Sequence, residues 1–350
     1  MNQMIEKVRH IRRIQYLNSF NPIFAVLIAF LVSGLMVLLS GGSPIEAYIA
    51  IARGAFGSMS SIMSTIRFTL PLLLLAIAFT MCNKCGYFNI GQEGQMYASA
   101  LTITWVQISF GNSLPVPILF LLMLVCGAVV GGLVSLLPAY LKLKFGVNEI
   151  VMGILLNYTI LRLSDFLLQN TALGKPHANT SMSVFYIPSI PTPVLAVIAC
   201  LIVIVYAFIE KKTIPGYRLR MVGSNPIFAQ FSGLNKTKIV LVVAMLSGVL
   251  ASLTSTGELV GIYKCFYYNY ADGLGFSAMT AALIGKQSVV GMLFGALLLG
   301  ALQSGAIGLS VSASASPEIV ILVRGFVMLF GTISVLQYFM HERRKTKEIS

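Results

Sequence analysis

Polar side chains that could bind a solute gather in one glycine-containing segment of an otherwise apolar chain. The segment FNIGQEGQ (88–95) contains the amides of Asn89 and Gln95 and the carboxylate of Glu93 beside two glycines. The glycines loosen a helix, and the amides supply both hydrogen-bond donors and acceptors. Irregular polar backbone is tolerated in a membrane where it lines a cavity or is buried in protein. The segment therefore predicts part of a pathway for a polar solute, with a turn at the membrane interface as the alternative.

A second group of polar side chains opens a later apolar run. Asn148 and Glu149 stand at the start of this run, and Asn157 follows two helical turns further on. We assign all three residues to the same pathway, while capping of the helix end is the alternative reading of the first two. Arg162 and Asp165 are three residues apart in the same run. They are therefore expected to share a helix face and to form a structural ion pair.

The sequence lacks the motifs of several enzyme classes. It contains no G-x-x-x-x-G-K-[ST] phosphate loop, no nucleophile elbow and no H-E-x-x-H zinc motif. The five cysteines are scattered apart from the pair Cys82-x-x-Cys85, and the three histidines lie far from that pair. A single CxxC is a weak signal for a metal or redox site. We therefore expect no enzymatic activity, no metal site and no cofactor in this chain.

The elements that position these residues are membrane-spanning helices. Of the 350 residues, 57% are hydrophobic and only 10% are charged, and the mean hydropathy is +0.87. Apolar runs of about 20 residues recur along the chain, and such a run spans a bilayer core as a helix. We predict an all-α, polytopic membrane protein with one integral domain over residues 1–350. About ten transmembrane helices are expected, with a broken or re-entrant stretch at 273–285 and spans at 22–40, 62–82, 94–110, 116–140, 148–168, 193–209, 239–257, 289–309 and 318–339.

Basic residues are concentrated in three short polar segments. Fourteen of the 24 lysines and arginines lie near the N-terminus, between residues 211 and 238, and near the C-terminus. Such clusters are typical of the cytoplasmic loops of membrane proteins. The net charge of +13 therefore indicates topogenic, solvated charge, and no nucleic-acid partner is expected. Both termini and the loop 210–238 are predicted to be cytoplasmic, whereas the polar stretch 170–192 is predicted to face outward.

Four motifs, in the same order along the chain, resemble those of one transporter family. They are FNIGQEGQM (88–96), VNEIVMGILLNY (147–158), VGSNPIFAQFSGLN (222–235) and GLGFSAMTAALIGKQSVVG (273–291). The chain resembles the permease subunits of ABC importers for sugars, nucleosides and branched-chain amino acids. Two positions depart from the family pattern, because Gln92 replaces a glycine and Val289 stands where a proline is usual.

The resemblance extends over most of the chain and implies a function. The form of the first two motifs points to the nucleoside or simple-sugar branch of the family. We therefore predict a permease subunit that moves nucleosides across the bacterial cytoplasmic membrane by alternating access. The energy would come from ATP and Mg²⁺ bound to a separate subunit.

The loop 210–238 is the expected contact with that ATP-hydrolysing subunit. A helix-start signal at Ser224 to Pro226 precedes a short apolar stretch that ends at a glycine. We expect one face of this helix to be exposed for docking, and the residues assigned to ATPase coupling are Gly223, Asn225, Ala229 and Gly233. The resemblance also implies a second permease subunit, expected to be a paralogue, an extracytoplasmic substrate-binding lipoprotein and contact with membrane lipid.

Other functions fit parts of the same sequence. Within the family, the alternatives are import of a simple sugar such as ribose or galactose, or of branched-chain amino acids. In a different class, an ion-coupled secondary transporter would also use broken helices and the intramembrane carboxylates of Glu93 and Glu258. A membrane scaffold without transport is a third possibility.

Overall fold

The protein is largely helical, as predicted from its composition. The computed structural model describes residues 22–39, 43–177, 180–184, 191–312 and 325–329. The α-helices are α1 Pro22–Leu39, α2 Pro44–Phe56, α3 Met59–Lys84, α4 Gln92–Phe110, α5 Val116–Phe145, α6 Glu149–Asn170, α7 Thr192–Lys212, α8 Ile214–Ser224, α9 Pro226–Phe231, α10 Lys236–Thr256, α11 Leu274–Ile284 and α12 Val289–Ser312. A π-helix, Gly257–Tyr263, continues α10, and residues 325–329 are also helical.

The membrane-spanning character of the chain is confirmed. Within the described residues, six helical segments are long and apolar enough to cross a membrane, and they are α3, α5, α6, α7, α10 with its π-helical continuation, and α12. Helices α1 and α11 contribute shorter apolar segments. Every predicted span between residues 22 and 309 coincides with a helix. The last predicted span, 318–339, lies outside the described residues except at 325–329, so the predicted count of ten stays a prediction.

Helices α2 and α8, the π-helix and three strands were not expected from the sequence. Helix α2 begins after Ser43, whose hydroxyl accepts a hydrogen bond from the backbone N–H of Glu46. It is only 13 residues long and carries two charges, so it does not resemble a span. The strands β1 Lys175–His177, β2 Thr180–Val184 and β3 Cys265–Tyr267 form an antiparallel sheet in the order β1-β2-β3. This sheet ties the predicted outward loop to the chain that follows the π-helix.

The chain divides into two compact units. Of the described residues, the first contains 22–39, 43–68, 283–312 and 325–329, and the second contains 69–177, 180–184 and 191–282. In the first unit α12 packs on α2, and the Ser304 hydroxyl donates to the carbonyl of Gly54 at 3.1 Å. A Cβ at Gly305 would lie 2.8 Å from the carbonyl oxygen of Ile51, so only glycine permits this approach. The prediction of one integral domain is not tested by this division.

The second unit is built around the pair α5 and α10. A Cβ at Gly248 on α10 would lie 2.1 Å from the carbonyl oxygen of Gly131 on α5. The hydroxyl of Ser135 donates to the carbonyl of Ala244 at 2.6 Å across the same interface. Small and hydroxyl-bearing residues let membrane helices approach closely. Gly127 and Gly131 lie in this contact.

Candidate functional site

The segment between α3 and α4 is irregular and is held by buried amides. The side chain of Asn89 donates to the hydroxyl of Ser247 on α10 at 2.8 Å. Its Oδ1 atom accepts from the backbone N–H of Gly91 at 3.0 Å and from Nε2 of Gln95 at 3.1 Å. Asn89 and Gln95 are almost completely buried. These two predicted pathway residues therefore fix the backbone of the segment and do not face an open passage in this structure.

Asn157 on α6 holds the other side of the same segment. Its Oδ1 atom accepts from the backbone N–H of Gly94 at 2.7 Å, and its Nδ2 atom donates to the carbonyl of Ile90 at 3.0 Å. A Cβ at position 94 would lie 2.9 Å from that Oδ1 atom, which explains the glycine. Asn157 is eight residues from the start of α6, or about 12 Å along a helix. Asn157 thus contacts the polar segment about two helical turns into α6.

Glu93 links this segment to the broken region of the chain. Its Oε1 atom accepts from the backbone N–H of Gly275 at 3.0 Å, at the N-terminus of α11. A carboxylate in this place is favoured by the unpaired N–H groups and the dipole of the helix. A Cβ at Gly275 would lie 3.0 Å from Cγ of Glu93. The side chain is only partly buried, so Glu93 both positions α11 and reaches a surface.

Asn148 and Glu149 lie at the start of α6, as the sequence predicts. The side chain of Asn148 caps the helix by accepting from the backbone N–H groups of Ile150 and Val151. Glu149 forms an ion pair with Lys142 and accepts from the backbone N–H of Phe88 at 3.4 Å. The helix-capping alternative therefore holds for Asn148. Glu149 instead contacts the start of the polar segment at Phe88. The structure does not bring either side chain to the surface near Glu93.

Several polar side chains near Glu93 were not identified from the sequence. We call the group the Glu93–Arg162 cluster, and it consists of Glu93, Tyr97, Arg162, Tyr268, Asn269 and Asp272. The Tyr97 hydroxyl donates to Oδ1 of Asn269 at 3.4 Å, and Tyr97 is within electrostatic range of Glu93, Asp272 and Tyr268. Nη1 of Arg162 donates to the hydroxyl of Tyr268 at 3.2 Å. The dense run of tyrosines from 263 to 270 is the signal that could have indicated this cluster.

The predicted pairing of Arg162 with Asp165 is wrong. In the described part of the chain the ion pairs are Lys84 with Glu210 and Lys142 with Glu149. Asp165 instead accepts from Nε2 of Gln169 at 2.6 Å, one helical turn later. Arg162 turns toward Tyr268, whose ring centroid is 6.0 Å from its Cζ atom. Residues three apart can share a helix face, but here the contact with Tyr268 determines the orientation of the Arg162 side chain.

The loop 210–238 is attached firmly to the end of α3. A Cβ at Gly223 would lie 2.0 Å from the carbonyl oxygen of Lys84, so α8 meets the backbone there. Lys84 forms an ion pair with Glu210, and the guanidinium of Arg220 donates to the backbone carbonyl of Glu210. This attachment lies only a few residues before the polar segment that begins at Asn89. Movement of the loop is therefore tied to the chain that carries the predicted pathway residues.

Helix α9 has the cap and the glycine that were predicted for it. Oδ1 of Asn225 accepts from the backbone N–H of Phe228 at 2.9 Å. Gly233 has φ of +77°, and the backbone N–H of Leu234 donates to the carbonyl of Ala229 at 3.0 Å. A left-handed glycine of this kind ends a helix at little cost, whereas other residues are strained there.

The orientation predicted for α9 is wrong. Ala229 is completely buried among Cys82, Cys85 and Tyr87 and the neighbouring part of α10. It therefore anchors α9 to the second unit and cannot belong to an exposed docking face. The exposed apolar residues of this helix are Ile227, Phe228 and Phe231, with exposed fractions of 70%, 55% and 87%.

The cysteine pair Cys82 and Cys85 lies in the protein interior. Cys82 and Cys85 are free thiols, both buried in the cluster that holds Ala229. Burial raises the pKa of the Cys85 thiol to about 11, so the group remains protonated and poorly nucleophilic at neutral pH. Among the described residues there is no group of three or more His, Cys, Asp or Glu side chains that could hold a metal ion.

A small cavity lies elsewhere in the second unit. Its volume is about 80 Å³, and its walls are apolar side chains from α3, α5, α7 and α10 together with two threonines and Glu258. Glu258 is 5% exposed and belongs to the π-helix that follows α10. The chain remains helical through Glu258, because the π-helix directly continues α10.

Comparison with known proteins identifies the family of the chain. Residues 61–332 match the family model described as the permease component of branched-chain amino acid transport systems. The chain is 29% identical to a guanosine ABC transporter permease of Bacillus subtilis (strain 168), over 93% of this chain and 96% of that protein. It is 29% identical to a nucleoside ABC transporter permease of Lactococcus lactis subsp. cremoris (strain MG1363), over 94% of each chain. It is also 28% identical to a glucose ABC transporter permease of Haloferax volcanii, over 88% of this chain and 86% of that protein.

Proposed function

Because the chain belongs to the family of branched-chain amino acid transport system permease components, we propose that it is the permease subunit of an ABC importer for nucleosides. It is a multi-pass membrane protein of a transporter family. The relatives named for guanosine and for nucleosides cover nearly the whole chain, which supports the choice of substrate.

The observation that carries this proposal is the attachment of α8 and α9 to the polar segment. Gly223 packs closely against the backbone of Lys84 at the end of α3, and Ala229 is buried against the turn that follows. Phe231 and its apolar neighbours are exposed beside it. Aromatic residues of this kind, exposed on a short helix, suit a groove on a protein partner. We assign this surface to a cytoplasmic ATPase that binds ATP and Mg²⁺. Conformational changes of this ATPase would be transmitted to Glu93 through the backbone from Lys84 to Asn89.

The remaining subunits and the orientation follow from the same assignment. A second permease chain, paralogous to this one, would complete the membrane pathway, and an extracytoplasmic lipoprotein would deliver the nucleoside. The basic loop and both termini would then be cytoplasmic, in agreement with their charge. The sheet formed by β1, β2 and β3 would face the lipoprotein. The polar segment would lie between the two permeases.

Uptake by cells tests the substrate. The chain is expressed with its cognate ATPase, second permease and lipoprotein in a host that lacks its own nucleoside importers. We expect accumulation of labelled guanosine, with competition by other nucleosides. The simple-sugar alternative, which the glucose permease relative favours, predicts accumulation of ribose or glucose and none of guanosine.

A further inference from the structure

Arg162 is a cation exposed on a membrane-spanning helix. It is 13 residues from the start of α6 and eight from its end at Asn170, or about 20 Å and about 12 Å along the helix, and its side chain is exposed. A charged side chain that faces lipid within a span is disfavoured, so such residues face water, a solute, protein or the membrane interface. In the described part of the chain, its only hydrogen-bond partner is the uncharged hydroxyl of Tyr268. Most of the guanidinium donors are thus available for another molecule.

The ring beside Arg162 is held in place by buried neighbours. Tyr268 follows β3, which pairs with β2, and precedes Asn269, whose φ of +64° is left-handed. Non-glycine residues in that conformation are uncommon and often mark functional sites. The hydroxyl of the buried Tyr270 is within 2.8 Å of the Ser255 hydroxyl and donates to the carbonyl of Met96 at 3.2 Å. The partly exposed Tyr268 ring is therefore presented by a rigid support.

The chemistry of this surface matches a purine nucleoside. A guanidinium can donate two parallel hydrogen bonds to O6 and N7 of a guanine base, and aromatic rings stack on bases. Oxygen acceptors for ribose hydroxyls lie in the same cluster, on Glu93, Asn269 and Asp272. The cluster contains one cation and two carboxylates, so it offers both charged donors and charged acceptors to a solute.

We propose that Arg162 and Tyr268 form the part of the transport pathway that contacts the purine base. This assignment rests on the proposed function, and it adds a base-contacting site that the motifs at 88–96 and 147–158 do not contain. The competing explanation is that Arg162 forms an ion pair with a carboxylate of the second permease. In that case Arg162 would stabilise the assembly and would not read the base.

The test compares two purine nucleosides in cells that contain the complete transporter. Guanosine and 7-deazaguanosine differ only at N7, which is an acceptor in guanosine and a C–H group in the analogue. The variants are Arg162→Gln, Arg162→Lys, Tyr268→Phe and Tyr268→Leu, with Asp165→Asn as the control on the same helix. The same lipoprotein serves every variant, so a change in the ratio of the two uptake rates reports the permease alone. Co-purification of the ATPase and second permease reports assembly.

We expect Arg162→Gln to assemble normally and to lose about tenfold in guanosine uptake at low concentration, which corresponds to one charged hydrogen bond of about 1.4 kcal/mol. Its preference for guanosine over 7-deazaguanosine should disappear. Arg162→Lys should restore only part of the rate, since lysine lacks the planar fork. Tyr268→Phe should retain more uptake than Tyr268→Leu, and Asp165→Asn should match the wild type.

Three results would overturn the proposal. Unchanged uptake and unchanged discrimination in Arg162→Gln would remove Arg162 from the base contact. Loss of the second permease from the purified Arg162→Gln complex would identify an ion pair between subunits. Failure of the wild type to take up guanosine, with uptake of a sugar intact, would overturn the proposed function as well, so the two failures are distinguishable.

Discussion

At the scale of single residues, the polar segment separates into side chains that build it and one that connects it to another helix. Asn89, Gln95 and Asn157 direct their amides to each other, to backbone groups of residues 90–94 or, for Asn89, also to the hydroxyl of Ser247. Buried amides of this kind are costly to leave unpaired. Their replacement would therefore damage the fold of the segment before it could report on the solute.

Glu93 gives a cleaner test, because its carboxylate is partly exposed and contacts the start of α11. Glu93→Gln keeps an acceptor for the N–H of Gly275 and loses the charge, whereas Glu93→Leu loses both. A hydrogen bond from a charged group contributes about 1.5 to 3 kcal/mol. We expect a moderate loss of nucleoside uptake for Gln and a nearly complete loss for Leu, with equal amounts of folded protein in the membrane.

The matched control is Glu46→Gln, which changes an exposed carboxylate in α2 of the first unit. It should leave uptake unchanged. Uptake at the wild-type rate by the Glu93→Leu variant would exclude both the contact with α11 and a place in the pathway. Thermal melting of the purified variants separates a loss of folding from a loss of transport.

At the scale of elements, α9 has two apolar faces, one packed inside the protein and one exposed. The buried face carries Ala229, and the opposite face carries Phe231 with an exposed fraction of 87%. In a helix of six residues, apolar side chains on both faces leave no periodic pattern from which the inner face could be identified. This is why the sequence predicted the helix and its cap correctly and its orientation wrongly.

The two faces predict different outcomes for the same substitution. Phe231→Glu should leave the permease folded and greatly reduce binding of the ATPase, because a charge buried without a partner at an interface costs several kcal/mol. Ala229→Glu should instead reduce the amount of folded permease, since that site is inside the protein. Lys236→Ala, at an exposed position, should change neither by more than about 1 kcal/mol.

Co-purification and detergent-solubilised melting temperature distinguish the two effects. A Phe231→Glu variant that still binds and stimulates its ATPase would show that α9 is not the docking surface. An Ala229→Glu variant that is as stable as the wild type would contradict the buried position of that side chain.

At the scale of the whole molecule, hydropathy and charge predicted the parts that depend on local sequence. Long apolar runs specify helices in a membrane because backbone groups must be paired within the segment, and the breaks at 88–95 and 273–285 carry glycines. The Glu93–Arg162 cluster could not be predicted in this way. Arg162 and Tyr268 are 106 residues apart in sequence, and their contact depends on a three-stranded sheet whose strands are too short to show a pattern.

The central claim is that ATP hydrolysis on a partner drives nucleoside import through this chain. The most direct test is the complete transporter reconstituted in sealed vesicles, with ATP and Mg²⁺ on the side of the ATPase and the lipoprotein on the other. We predict accumulation of labelled guanosine that requires hydrolysable ATP, continues after a protonophore and sodium ionophore collapse the ion gradients, and stops with the Phe231→Glu permease. Accumulation that needs an ion gradient and proceeds without ATP would contradict this account and identify a secondary transporter.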